Sequence, residues 1–518
     1  MMKPVREKRA LAMPVGVLFY GAVVLFLNFA VPPFQNPDEP QHFGGIMLEA
    51  LGEDRQEAVE QEIIEMMDKH HWWRFVGIGR PAELPERLAD ISFLMGHYPL
   101  RDFKQRLAGI EFYHRLFGNI FRFLGIEDVT SAYYLCRLTS VFLTLGVLVF
   151  LCLTLQLFRQ ELQVLFLPGL FFVLFLPQFL MSSVAVNSDA LANFLGALFF
   201  WAAASLFAGK GKKHILFSLL LLSAAVGFLV DRSTFTLVPL ALIVPFFLVG
   251  KKKFQESIVN MLAFLVVFLF SAVLLVKFFP VLADNNLRMF GLVFQRFSRA
   301  APVLFSLGEG SRQFLTFIVD SFLLKFGWAL FGAGAGVYYV WRLAVTLSLA
   351  GIFLFLGRKG WNFVKGWPVW MERLQRSVGI KPSSMLVHRR IRYLRHRENP
   401  AASGGGTEEK MQSMSSAFLI KLAVFSMVAV LFQIMAAWTY YGSHQMLAQG
   451  RHFFPLIIPV ALLFVLGMRS FFESIRSRAA GIALMLFVTA EFLLLNYVIW
   501  ARMLPFFHMI IKSPHPGI

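Results

Sequence analysis

Asn36-Pro37-Asp38-Glu39-Pro40-Gln41-His42 sets two adjacent carboxylates and an imidazole in one short stretch. A carboxylate in such a cluster can take a proton from a hydroxyl, or ligate a divalent cation. On a helix, Asp38 and His42 stand at i and i+4 and share a face. The same residues also spell a helix start. Asn36 is a good N-cap, Pro37 suits the first turn, and Glu39 completes a capping-box-like pattern. Spacing alone leaves both readings open. Val186-Asn187-Ser188-Asp189 poses the same choice: Asp189 is either a functional carboxylate or a residue favoured by a helix dipole. Gln449-Gly450-Arg451-His452-Phe453-Phe454-Pro455 adds an arginine, suited to bidentate phosphate binding or to snorkelling at an interface. Arg137, Asp231, Arg232, Lys277, Lys325, Arg342 and Glu491 also lie in or beside apolar runs. Glu491 falls near the middle of one and requires a hydrogen-bond partner or a proton there.

The elements that carry these residues follow from composition. Of the 518 residues, 57% are hydrophobic and 15% are charged. That leaves too little polar surface for a water-soluble fold, and a bilayer resolves the shortfall. The expected fold is an all-α polytopic membrane protein with about eleven spans. Apolar runs place them near 11–31, 131–158, 162–181, 186–208, 214–230, 233–250, 257–279, 337–356, 417–438, 453–468 and 480–500. The first run lacks a clear cleavage site and reads as an uncleaved helix. The net charge of +18 is then a topological signal rather than a nucleic-acid one. With the N-terminus inside, parity puts Lys210-Gly211-Lys212-Lys213, Lys251-Lys252-Lys253 and the 12 Lys and Arg of 357–416 in the cytoplasm. The large first outer loop, 32–129, holds 10 basic and 17 acidic residues, a net charge of −7. Residues 57–70 within it read as an amphipathic helix, with Val59, Ile63, Met66 and Met67 on one side.

Three regions follow. Residues 1–356 form a membrane domain with outer loops 32–129 and 280–336. Residues 357–416 form a basic cytoplasmic loop, and 417–518 the C-terminal membrane helices. Within 357–416, His388-Arg389-Arg390-Ile391-Arg392 reads as a basic surface helix facing anionic lipid, and Ala402 to Gly406 as a flexible linker. Cys136 and Cys152 sit sixteen positions apart on one expected helix, too far for a disulfide. No internal repeat is visible, and none of His-Glu-x-x-His, Gly-x-Ser-x-Gly or a nucleotide-binding glycine loop occurs. The topology puts Asp38, Glu39, Asp189, Asp231, Asp284 and Arg451 at one membrane face. Such a set suits a reaction on an amphiphile, with carboxylates for a hydroxyl and arginine for a phosphate.

The segment Asn36 to Phe43 resembles the Pro-Asp-Glu-Pro-x-His-Phe signature of a bacterial membrane-protein family. That family is named only as a domain of unknown function and is grouped with the GT-C glycosyltransferases. Val186-Asn187-Ser188-Asp189-Ala190, Gln449-Gly450-Arg451-His452 and Ser321-Phe322 to Phe326-Gly327-Trp328 resemble further landmarks of it, from about residue 15 to 470. Phe112-Tyr113-His114-Arg115-Leu116 stands where the family has a His-Pro-Pro-x-x-Tyr-like segment, here without the prolines. Gly-Arg-His replaces the commoner Gly-Arg-Tyr.

The resemblance implies a GT-C-like transmembrane helix bundle in the bacterial inner membrane. Such enzymes move a sugar from a polyprenyl-phosphate donor to a glycan or glycolipid acceptor outside the cytoplasm. The catalytic acid of the first outer loop maps onto Asp38. On that basis Asp38 is the expected general base of an inverting transfer, assisted by Glu39 or His42. Arg451, with Arg137 or Arg288, is expected at the leaving phosphate. Asn187, Asp189, His452, Tyr113 and His114 are expected at the acceptor or substrate. Metal ligands are unassigned; a divalent cation, Mg or Mn, is the one candidate cofactor, and nucleic acid is not an expected partner. The rival readings are a glycolipid transporter or flippase, and a non-catalytic protein of envelope assembly.

Overall fold

The computed structural model describes residues 3–36, 39–75, 80–88, 90–91, 112–158, 165–248, 308–326, 331–377, 406–441, 449–475 and 477–505, with a few single positions between 266 and 295. The chain opens with α1 (Lys3–Ala30), α2 (Glu39–Leu51), α3 (Gln56–Lys69), α4 (Trp72–Phe75) and α5 (Phe112–Leu124). Next come α6 (Val129–Gln156), α7 (Phe166–Leu174), α8 (Pro177–Ser182), α9 (Asp189–Phe207), α10 (Lys213–Val230) and α11 (Leu237–Leu248). Helix α12 (Glu309–Leu324) leads into two-residue strands, β1 (Lys325–Phe326) and β2 (Phe331–Gly332), paired antiparallel. Then follow α13 (Ala335–Ser377), α14 (Gly406–Tyr441), a 3-10 helix (Gly450–Leu456), α15 (Ile457–Ile475) and α16 (Ser477–Asn496), which ends in π-helical turns (Tyr497–Met503).

Among the described residues, seven helices are long and apolar enough to cross a membrane: Val129–Gln156, Asp189–Phe207, Lys213–Val230, Ala335–Arg358, Ala417–Thr439, Gly450–Ile475 and Ala480–Met503. They match seven of the expected spans. Pro14–Ala30 and Arg232–Leu248 are apolar but shorter. The run expected as one span over 162–181 is instead two short helices, α7 and α8. Leu176 between them is extended, with φ −72° and ψ 107°. Proline disfavours helical backbone in the residue before it, and Pro177 then opens α8. The run 257–279 lies outside the described residues, apart from single positions. Helix α13 continues past Arg358 to Ser377, so the expected basic loop begins as helix. His388 to Arg392 lie outside the described residues, as does the expected linker except Gly406, which opens α14.

Two cores organise the molecule. The larger joins α1 and α6 to α16, with Phe172, Phe200, Phe425, Phe454, Phe464 and Trp341 among its buried rings. The smaller lies between α2, α3 and α5, and continues onto Ala132, Tyr133 and Cys136 of α6 and Val186 and Leu191. The expected amphipathic helix is α3, which buries Val59, Ile63, Met66 and Met67. Cys136 and Cys152 are both buried and free.

In lipid, helices gain little from apolar burial against each other, so close backbone approach matters more. Helices α13 and α15 cross where Gly351 meets Gly467: a Cβ on Gly351 would lie 1.8 Å from the Gly467 carbonyl oxygen. Ser348 completes the crossing, its Oγ donating to the Phe464 carbonyl at 3.0 Å. Gly357, further along α13, has no atom within 4 Å of the corresponding point. Gly351→Val is therefore expected to lower the melting temperature in detergent by at least several degrees or abolish the monodisperse species. Gly357→Ala should be neutral or slightly stabilising, because alanine is the better helix former. Equal melting temperatures for the two variants would refute the crossing.

Candidate functional site

The chain reaches the first motif through a strained turn. Phe34 holds φ at +63°, a left-handed conformation that costs a side-chain-bearing residue on the order of 1–2 kcal/mol. Both its backbone groups are satisfied: its N–H donates to the Tyr133 hydroxyl at 2.8 Å, and its carbonyl accepts from Trp72 Nε1 at 2.9 Å. Helix α2 then starts at Glu39. The Glu39 carboxylate reaches back to accept from the Asn36 N–H at 3.0 Å, which is the reciprocal half of a capping box. Pro37 and Asp38 lie outside the described residues, so the described chain brackets the expected base from both sides.

Glu39 does more than cap. It is fully buried, and its Oε1 accepts from the Val186 N–H at 2.9 Å and from the Tyr133 hydroxyl at 3.2 Å. Arg137 Nη2 lies 3.6 Å from the same oxygen. Arg137 is itself fully buried. Its Nη1 donates to the carbonyls of Asn28 and Val31 at 3.1 and 2.7 Å, and its Nη2 to that of Pro32 at 3.0 Å. These carbonyls end α1, so a guanidinium sits at the negative pole of the helix. The Tyr133 ring lies under it, 4.9 Å from the guanidinium carbon. Both terminal nitrogens are thus committed inside the protein. Arg137, expected at a phosphate, is placed as a clamp between α1, α2 and α6.

Two further expected residues meet the first motif. His42 Nδ1 and His114 Nε2 are 2.9 Å apart, and their rings stack with centroids at 5.1 Å. Gly45 of α2 makes room, since a Cβ there would sit 3.3 Å from the His114 ring. Gly118 of α5 allows the closest approach: a Cβ there would lie 2.9 Å from the Ile46 carbonyl. Tyr113, beside His114, is buried, and burial pushes its phenol well above the ordinary range. It stays a neutral hydroxyl, within electrostatic reach of both Glu39 and Asp189.

The second and third motifs meet each other. Asp189 opens α9 and is buried. Asn187 Nδ2 donates to its Oδ2 at 3.1 Å, and Arg451 Nε lies 3.8 Å from the same oxygen. The neighbouring Ser188 hydroxyl bonds Asp231 Oδ2 at 3.1 Å, which ties in the end of α10. Gly450 packs against the α12 landmark. Its N–H donates to Ser321 Oγ at 2.7 Å, and a Cβ on it would fall 2.1 Å from the Phe322 nitrogen. The His452 carbonyl accepts from Gln433 Nε2, whose Oε1 accepts from Thr236, both at 2.7 Å. Tyr133, Gln433 and Thr236 were not among the expected site residues. Gln433, a lone amide inside an apolar run, carried a readable signal; Tyr133 and Thr236 carried none.

Glu39, Asp189, Asp231 and Arg451 are therefore linked around one end of the bundle. Arg288 is exposed, and its chain neighbours are mostly outside the described residues; Asp284 is outside them. A divalent cation finds no ready cage: among the described residues no group of three or more His, Cys, Asp and Glu side chains assembles. Glu39 spends its oxygens on hydrogen-bond donors, and Asp189 faces Asn187 and Arg451. Comparisons with protein-family models, curated proteins and solved structures gave no match.

Removing one member of a buried ion pair strands the other and costs about 3–5 kcal/mol. Glu39→Gln and Arg137→Met should each lower the thermal stability of the purified protein markedly. Arg451→Gln, whose partner Asp189 keeps the Asn187 hydrogen bond, should have the smaller effect. A melting curve for Arg137→Met that overlays the wild type would remove the clamp from the account.

Proposed function

We propose that the protein is an inverting glycosyltransferase with a GT-C-like bundle of about eleven spans. On this reading its N-terminus is cytoplasmic, it sits in a bacterial inner membrane, and its site opens on the far side. The donor is a polyprenyl-phosphate sugar and the acceptor an envelope glycan or glycolipid. The observation that carries the reading is the linkage, at one end of an apolar bundle, of the Glu39, Asp189 and Arg451 motifs, which are far apart in sequence.

The chemistry balances without a nucleotide. The Asp38 carboxylate takes the proton of the acceptor hydroxyl. The acceptor oxygen attacks the anomeric carbon from the face opposite the phosphate. The bond from that carbon to the phosphate oxygen breaks, and the polyprenyl phosphate departs with the electron pair. A phosphate leaving group needs positive charge more than a proton, and Arg451 supplies it. Asp189 and Asn187 orient the acceptor. His42, one helical turn beyond Asp38, supports the base and is held by His114. Glu39 is a positioning residue in this scheme: it fixes the chain on which Asp38 rides.

The test compares envelope glycans and glycolipids by mass spectrometry in a deletion strain and in strains restored with wild type or with Asp38→Asn at matched protein level. The expected result is loss of one defined sugar in the deletion and with Asp38→Asn, restored by wild type. Removing a general base typically costs about 10²–10⁴-fold in rate. Full restoration by Asp38→Asn would sink the base assignment and favour a flippase or an assembly scaffold.

A further inference from the structure

Away from that site, three spans line a polar pocket. Arg358 is the last residue of the span in α13, Leu419 stands near the start of the span in α14, and Arg469, Ser470 and Glu473 lie in the final turns of α15. Together with Phe355 and Leu466 they line a pocket of about 210 Å³. Arg469 Nε pairs with Glu473 Oε1 at 2.5 Å, while its Nη1 is buried and has no partner. Arg358 is exposed and makes no ion pair or hydrogen bond among the described residues. Two guanidinium groups against one carboxylate leave the pocket one positive charge.

We propose that this pocket binds the phosphate of an anionic phospholipid, independently of any reaction at the candidate site. The charge fits: a phosphodiester carries one negative charge, which the pocket neutralises. The geometry fits as well. The unpartnered Nη1 of Arg469 is a buried donor, and such donors are costly unless an acceptor arrives. Arginine is well suited to phosphate, since its nitrogens can grip two oxygens at once. The apolar walls continue away from the arginines. Leu419 and Leu466 also line a narrow apolar seam with Leu422, Leu462 and Leu463, an apolar flank beside the proposed headgroup site. Basic pockets between spans on the cytoplasmic side are a recognised way to hold anionic headgroups. The segment 357–416, which begins beside this pocket, carries 12 Lys and Arg, as expected for the face turned to anionic lipid.

The experiment uses the full-length protein in nanodiscs of phosphatidylcholine with graded phosphatidylglycerol, followed by native mass spectrometry of the lipids retained on release. Wild type should retain phosphatidylglycerol in preference to phosphatidylcholine. Arg358→Gln should weaken that preference about fivefold, the effect of about 1 kcal/mol for one arginine near the surface. Arg358 is exposed and has no partner among the described residues, so this variant should keep its fold; Arg469→Gln should weaken the preference further. Equal retention of both lipids by wild type, or an unchanged preference in both variants, would overturn the site. Stabilisation of lipid-free protein by inorganic phosphate to the same extent would overturn the lipid as its source.

Discussion

The end of the bundle that holds the candidate site depends on one buried ion pair. Glu39 and Arg137 have both left water, and attraction between them does not by itself offset that cost. What makes the burial tolerable is the completeness of the surroundings. Glu39 takes hydrogen bonds from two backbone N–H groups and a tyrosine hydroxyl. Arg137 gives its terminal nitrogens to three carbonyls at the end of α1, which in an apolar setting would otherwise lack donors. The pair thus ties together the end of α1, the start of α2, the first turns of α6 and the turn before α9. Asn36 and Glu39, the described residues on either side of Pro37 and Asp38, are both held by this network.

The rest of that end is built by similar small commitments. Ser188 reaches Asp231, Ser321 takes the Gly450 N–H, and Gln433 joins Thr236 to the His452 carbonyl. Each bond joins different elements, and each is made where water is scarce. Glycine supplies the remaining condition. A Cβ on Gly196 of α9 would fall 2.0 Å from the Pro455 carbonyl oxygen, so that position must stay bare for the 3-10 helix to pack. The arginine motif is therefore held on three sides before its guanidinium meets Asp189.

Much of this architecture is legible in the sequence, and the limits are physical. Spans show through because a bilayer demands long apolar runs, and α3 shows because its apolar positions recur at helical spacing. The break at Leu176 escaped because hydropathy does not see backbone geometry, although Pro177 signalled it. The Asn36 to Glu39 capping pattern is real, and the capping carboxylate also holds Val186, Tyr133 and Arg137. Arg137 could not be placed correctly by composition. Its partners are backbone carbonyls more than a hundred positions away, which carry no side-chain signature. His42 with His114, and Asp189 with Arg451, are equally non-local, and neither charge parity nor spacing pairs them.

The two arginines of the site end differ in a way that bears on the proposed reaction. Arg137 is locked by three hydrogen bonds and a carboxylate, so moving it would strand the end of α1. Arg451 lies 3.8 Å from Asp189, beyond hydrogen-bond length for that nitrogen. An ion pair at that distance holds the guanidinium in place beside the carboxylate. Asp189 has a second donor in Asn187, so it is not abandoned if Arg451 turns toward an anion. A lipid phosphate arriving from the membrane would add a second negative partner to an arginine already oriented. In the proposed reaction Asp189 would still face the guanidinium once the phosphate had left. Of the two arginines, Arg137 is the one whose removal would unmake the architecture, and Arg451 is the one that the proposed reaction assigns to the phosphate.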